Sequence, residues 1–214
     1  MKIGLLVDGD SEYYALPELL PRIATQHQVL NPLRAPLQPL APIGQIARVS
    51  ADACGILLSR GVDRIVVLLD LESRNDCPGG FAQDIADAVN ARVHTVRPEV
   101  DVLVVMKVRK LENWLVSDPQ ALRLNPGMFD LPQRFDRQVS PDRADNVDAL
   151  ALLRKWGRPQ GSYDKVRGAI AICSRMQPHA AARNSRSFRR FLRVIGDPTY
   201  LDQSRLASAG ANRC

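Results

Sequence analysis

The 214 residues contain neither GxxxxGK[ST] nor GxGxxG, so the loops that cradle phosphates in P-loop and dinucleotide-binding folds are missing. Histidine is scarce: His27, His94 and His179 have no serine or cysteine partner in a recognisable elbow, and a hydrolytic triad has no support. The four cysteines, Cys54, Cys77, Cys173 and Cys214, are scattered, with no CxxC and no histidine at ligand spacing. That pattern suggests neither a zinc site nor a disulfide framework, and a reducing cytoplasm is the expected compartment. The apolar run 3–7 is too short for a membrane span or a signal-peptide core, so the protein is expected to be neither exported nor membrane-embedded. Internal repeats and low-complexity tracts are also missing.

What is present is a globular composition, 45% hydrophobic and 24% charged, with a net charge of +6 from 29 basic and 23 acidic side chains. A chain of this length buries roughly 70% of its unfolded surface and needs no covalent staple. The charge is unevenly placed. Residues 1–149 carry 16 basic and 20 acidic groups, and residues 150–214 carry 13 and 3, a balance of −4 followed by +10. The split suggests acidic chemistry in one part and a polyanion-binding surface in another. Arginine outnumbers lysine 24 to 5, a bias that GC-rich coding alone also produces.

The apolar run 2–7 ends in Asp8-Gly-Asp-Ser11 and reads as a strand buried on both faces, followed by a turn and a helix over 12–25. Residues 29–33 suggest a second strand, and Pro32, Pro36, Pro39 and Pro42 mark a connection. A helix over 45–60, stopped by Gly61, precedes the strand 64–69, which runs into Asp70-Leu-Glu72. A helix over 81–90, strands over 92–96 and 102–108 and a helix over 111–117 complete the pattern. Strands alternating with helices predict an α/β fold with a mainly parallel sheet flanked by helices over residues 1–118. Residues 119–214 read as a basic, mainly helical C-terminal region packing on it. Its helices are expected over 147–156, 163–176 and 187–195, with a frayed tail from Ser204.

Sites in open parallel sheets form at the carboxyl ends of strands, where both strongest strands end in acids. If the two strands are neighbours, Asp8, Asp10, Glu12, Asp70 and Glu72 crowd one small region, and like charges there call for a cation. Carboxylates are ligands that Mg²⁺ or Mn²⁺ accepts. On an extended segment Asp70 and Glu72 point the same way while Leu71 packs inward. Each acid read alone is a helix cap or a turn residue. Glu112 either adds a carboxylate to the site or pairs on the surface with Arg109 or Lys110. In the basic region Arg183, Arg186, Arg189, Arg190 and Arg193 fall within eleven positions, and the last four recur at helical spacing with Phe188 and Phe191 interleaved. Guanidinium forks suit the phosphates of DNA or RNA; a solvated face or a patch for an acidic partner is the alternative.

Asp8-Gly9 and Asp70-Leu-Glu72 resemble the acid-Gly and DxD motifs of the Toprim superfamily, the metal-binding α/β domain of topoisomerases, bacterial primases and overcoming-lysogenization-defect nucleases. The runs Val7-Asp-Gly-Asp-Ser-Glu12, Asp76-Cys-Pro78, Glu112-Asn-Trp-Leu-Val-Ser-Asp118 and Ser187-Phe-Arg-Arg-Phe191 resemble a bacterial Toprim-like family associated with phage-defence ATPases. The resemblance implies a Toprim-like, Rossmann-like fold and divalent-metal-dependent phosphodiester cleavage of nucleic acid. Asp8, Asp70 and Glu72 become the catalytic acids, with Glu12 and Glu112 as further metal ligands. Lys165, of a Tyr163-x-Lys165 pair, joins the five arginines as a nucleic-acid contact. Asp8 stands where the family has the Glu that serves as general acid/base, a role the resemblance passes to Asp8, and Glu72 where it has the final Asp, so the carboxylate count is kept while the arms change length. The shorter Asp8 motivates a second expectation, a non-catalytic subunit or sensor beside an ATPase. Asp8-Gly-Asp10 also resembles the start of haloacid dehalogenase phosphatases, although Glu12 replaces the Thr or Val of that motif, and it resembles the start of PIN-like ribonucleases. The nuclease reading requires the arginine face to border Asp8, Asp70 and Glu72.

Overall fold

Runs of alternating inward and outward apolar side chains make the strands. In the computed structural model, which describes residues 1–158 and 163–201, these are β1 (Lys2–Val7), β2 (Gln28–Val29), β3 (Leu33–Arg34), β4 (Arg64–Asp70) and β5 (Asp101–Lys107). All pairings are parallel. β1 lies between β4 and an edge formed in turn by β2 and β3, and β5 pairs the far side of β4. The run 29–33 is split in two because Pro32 offers no backbone donor between the short strands. Register is continuous across the middle, with Leu5 opposite Val66, Val66 opposite Leu103, and Asp70 opposite Lys107.

The helices are α1 (Asp10–Leu19), α2 (Ile43–Ser59), α3 (Pro78–Val93), α4 (Leu111–Val116), α5 (Pro119–Arg123), α6 (Asp136–Val139), α7 (Ala149–Trp156), α8 (Lys165–Cys173), α9 (Pro178–Asn184) and α10 (Arg186–Val194). Because side chains alternate along each strand, the sheet has two cores. Leu6, Val67, Leu69, Val104 and Met106 pack against α2 and α3. Ile3, Leu5, Val7, Val66, Leu68 and Val105 pack against α1, α4 and helices that follow residue 118. The chain after Asp118 therefore supplies much of the layer on one face. No helix among the described residues is long and apolar enough to cross a membrane.

Four expectations need correction. Residues 92–96 are not a strand: the stripe Phe81, Ala82, Ile85, Ala86, Val89, Val93 keeps helical spacing, and burial of that stripe overrides the β-branched character of Val93. The helix expected over 12–25 ends at Leu19 and passes into a 3₁₀ turn over Leu20–Arg22, where Pro21 halts the α-helical ladder. α9 was not foreseen, although Pro178 at its first turn is a start signal. At Gly61 the expected stop of α2 occurs, with φ at 69°. Cys54 and Cys173 are free and buried, whereas Cys77 is disulfide-bonded, a bond that the scattered cysteines did not suggest. Cys214 and the tail from Ser204 lie outside the described residues.

Candidate metal centre

Because β1 and β4 are neighbours, their two terminal acids meet. Asp8 follows the last residue of β1, Asp70 ends β4, and Glu12 sits in the first turn of α1. One carboxylate oxygen from each of the three lies within 4.8 Å of the others, so this cluster could hold a metal ion. The backbone N–H of Asp70 donates to Asp8 Oδ2 at 3.0 Å, locking the two strand ends together. Gly9 is required for the third acid: a Cβ there would stand 2.5 Å from Glu12 Oε2.

Sequence reasoning missed the group at the centre. Lys107, the last residue of β5, is fully buried and directs its ammonium among the three acids. Its Nζ donates to Asp8 Oδ1 at 2.8 Å and to Glu12 Oε1, and lies 3.0 Å from Asp70 Oδ1. That last contact is an ion pair, and among the described residues Asp70 Oδ1 accepts no hydrogen bond. The signal was available: a lysine, rare in this arginine-rich chain, ends the buried run Val102–Met106 and is in register with Asp70.

Burial alone would lower the Lys107 ammonium, but the charges of Asp70, Asp8 and Glu12 outweigh it and hold the group well above the ordinary lysine value. Lys107 is therefore a fixed cation rather than a base. Burial, partly offset by Lys107 and reinforced by Asp8 and Glu12, pushes the Asp70 carboxyl up to about 8. One ammonium does not neutralise three carboxylates, and Asp70 is the one whose proton is held most firmly. It is also the most open of the three, its side chain 17% exposed against 7% for Asp8 and 4% for Glu12.

Glu72 and Glu112 are placed elsewhere. β4 ends at Asp70, and Glu72 takes φ 51°, so the alternation that would have aimed it with Asp70 breaks after the buried Leu71. Glu72 instead lies 3.9 Å from Lys110 Nζ and lines a cleft of ≈ 640 Å³ beyond the ends of β4 and β5. Arg109, with φ 66°, turns the chain in the same way after β5, and its carbonyl accepts from Glu72 N–H at 2.8 Å. Glu112 lines that cleft too, is 5% exposed, and forms no ion pair with Arg109 or Lys110 among the described residues. Burial and then the charge of Glu112 push the Tyr163 phenol above its ordinary value, and its hydroxyl has no hydrogen-bond partner among the described residues. Asp10 points away from the cluster and pairs with Arg34 on the surface.

Most of the remaining motif residues build the scaffold. Asn113 donates to the carbonyls of Ala144 and Val147, Asp118 accepts from the N–H groups of Gln120 and Gln177, and Asp145 holds both Ser185 and Ser187. Trp114 stacks on Phe191 at 5.2 Å, meets Phe188 edge-on at 5.1 Å, and donates to Ser187 Oγ. Phe188 and Phe191 thus anchor α10, leaving the arginines on its other side. Lys165, Arg183 and Arg186 are exposed, on α8, α9 and α10. Arg189 is tied to Asp142 at 2.6 Å. Arg190 and Arg193 line a different cleft, with Arg64 and Leu103, beside the amino-terminal halves of β4 and β5. The expectation that the arginine face borders the acid cluster fails for these two, because the core aromatics orient α10 along the outer strand.

No curated protein and no solved structure matches the sequence. The family described as "Domain of unknown function (DUF4276)" matches residues 7–196, which span both strand-end acids, Lys107 and α10, and the chain belongs to that family.

Proposed function

We propose that this chain is a Toprim-like nuclease that uses Mg²⁺ or Mn²⁺ to cleave phosphodiester bonds in DNA or RNA. The observation that supports it is the convergence of Asp8, Glu12 and Asp70 at adjacent strand ends, with negative charge left over after Lys107 is paired. The donor set is hard oxygen, which suits these ions, and the three acids would hold the ion. When bound, it supplies activation of water and neutralisation of charge on a phosphate oxygen. Lys107 keeps three carboxylates converged in the absence of any other cation. Asp8, fixed by Lys107 and by the N–H of Asp70, acts as a rigid acceptor, a ligand rather than a mobile general base. Glu72, Arg109 and Lys110 line the adjoining cleft, where the cations would meet a phosphate backbone. The test is cleavage of plasmid DNA and of RNA with Mn²⁺ or Mg²⁺ by wild type and Asp70→Asn. Activity is expected in the wild type alone; equal activity, or none in wild type, contradicts the assignment.

Lys107 favours one second reading. An internal ammonium already contacts all three acids, so the site is also what a non-catalytic subunit beside an ATPase would retain. That reading predicts no divalent-ion binding and unchanged fold stability when chelator is added.

A further inference from the structure

The cleft beside β5 differs in kind from the acid cluster. Arg64, Arg190 and Arg193 line it, and its volume is ≈ 310 Å³. The Nε atoms of Arg64 and Arg190 are buried and have no hydrogen-bond partner among the described residues. No ion pair involves any of these three arginines among the described residues, although Arg34, Arg74, Arg97, Arg123 and Arg189 all have carboxylate partners. Burial, and then the charge of Arg193, lower Arg190 from its ordinary value, the sign of a guanidinium packed close to another without a counter-charge.

The placement follows from the strands. Arg64 opens β4 and shares a face with Val66 and Leu68, the face on which α10 packs. Phe188 and Phe191 are buried beneath α10, so Arg190 and Arg193 are turned toward α3 and the outer strand. Asn90 closes the outer edge of β5 at Val102, accepting from its N–H and donating to its carbonyl. The two-residue period then directs the N–H of Val104 to the same side, toward the cleft. Ala82, Ala86 and Val104 add an apolar wall. The two polar amides of the lining are already used, Asn90 as described and Gln83 in a hydrogen bond to Asp87. Arg64 stands six residues before Asp70 on one strand, about 20 Å at the rise of an extended chain.

We infer that this cleft binds a small phosphomonoester: Arg64, Arg190 and Arg193 take the phosphoryl oxygens, and the apolar wall takes the organic part. Guanidinium forks match phosphoryl oxygens in geometry and charge, and a dianion supplies the acceptors that the two buried Nε atoms lack. The volume is at the lower end of small-molecule sites, too small for a duplex and sufficient for one phosphorylated unit. The site stands apart from the acid cluster and does not depend on the nuclease reading.

The test is calorimetric titration of the full chain with adenosine 5′-monophosphate, inorganic phosphate, adenosine, and a single-stranded oligonucleotide lacking terminal phosphates. Adenosine 5′-monophosphate is expected to bind at least as tightly as inorganic phosphate, and adenosine not at all. Arg64→Gln and Arg190→Gln are each expected to weaken binding about tenfold or more. Asp70→Asn is expected to leave it unchanged. Because an arginine variant can misfold, the wild type is also treated with phenylglyoxal: the nucleotide should protect Arg64 and Arg190 from modification. Absence of binding, unchanged affinity in both arginine variants, or no protection overturns the inference. Binding of inorganic phosphate alone overturns it in favour of a free-anion site, and oligonucleotide binding lost in the same variants overturns it in favour of a nucleic-acid groove.

Discussion

At the carboxyl ends of the strands buried charges are paired, whereas along the outer strand they are not. Asp8, Glu12 and Asp70 enclose Lys107, so that cluster is partly compensated and retains a negative surplus. Arg64, Arg190 and Arg193 line one cleft, and among the described residues no acid lines it with them. Both ends of one sheet concentrate charge, but only the first has an internal counter-ion. A region that carries its own counter-ion can fold without ligand and depends on that ion for stability. A region of unpaired like charge is tolerated because water or a ligand reaches it.

The sharpest way to break this comparison is Lys107→Met, which strands three carboxylates in a buried site. Urea unfolding near pH 8 should show a loss of about 3–5 kcal/mol, with recovery at low pH, where the acids become neutral. Equal loss at all pH values would mean that Lys107 matters only for packing.

A pH series sharpens the same side. The folded-state carboxyl of Asp70 is raised from 3.8 to about 8, so the folded chain binds more protons than the unfolded chain across that window. The stability contributed by this group is therefore fully present below about pH 4 and lost as pH rises toward 8. Thermal melts of metal-free protein should show this decline, Asp70→Asn should flatten it, and Mn²⁺ should restore melting temperature most at the alkaline end.

Gly9→Ala is expected to have a smaller effect. The added Cβ meets the tip of Glu12 and pushes it off Lys107, so Mn²⁺ affinity should fall and melting temperature should drop by less than in Lys107→Met, because Asp8 and Asp70 still pair the ammonium. On the other side, Arg190→Met should alter stability least, by about 1 kcal/mol or less and in either direction, because it removes a charge that has no ion-pair partner among the described residues. A large loss there would show that the arginine is paired after all.

The sheet was largely legible because β1, β4 and β5 are pure apolar runs, and a parallel strand buried on both faces has no other appearance in a sequence. The neighbouring positions of Asp8 and Asp70 followed from the same pattern. Glu72 was misplaced because its turn depends on the left-handed backbone at residue 72, which no glycine announced. Lys107 was overlooked because a lysine at a strand end looks like a surface residue until register sets it opposite Asp70. In the family-like motif 112–118, Trp114 and Leu115 are core residues, as their apolar character suggests, but the roles of Asn113 and Asp118 depend on tertiary contacts with residues 30 or more positions away, beyond the reach of local patterns. The arginine spacing on α10 predicted a shared face, and only the packing of Phe188 and Phe191 on Trp114 decides which way that face turns.

The claim on which the functional reading rests is that the acid cluster still binds a divalent cation with Lys107 present. Calorimetric titration of Mn²⁺ at pH 8 into wild type, Asp70→Asn and Arg190→Met tests it most directly. One-site binding in wild type and Arg190→Met, weakened more than about tenfold in Asp70→Asn, is the predicted result. Absence of binding in wild type, or equal binding in all three, would contradict it and leave Lys107 as the only cation the site accepts.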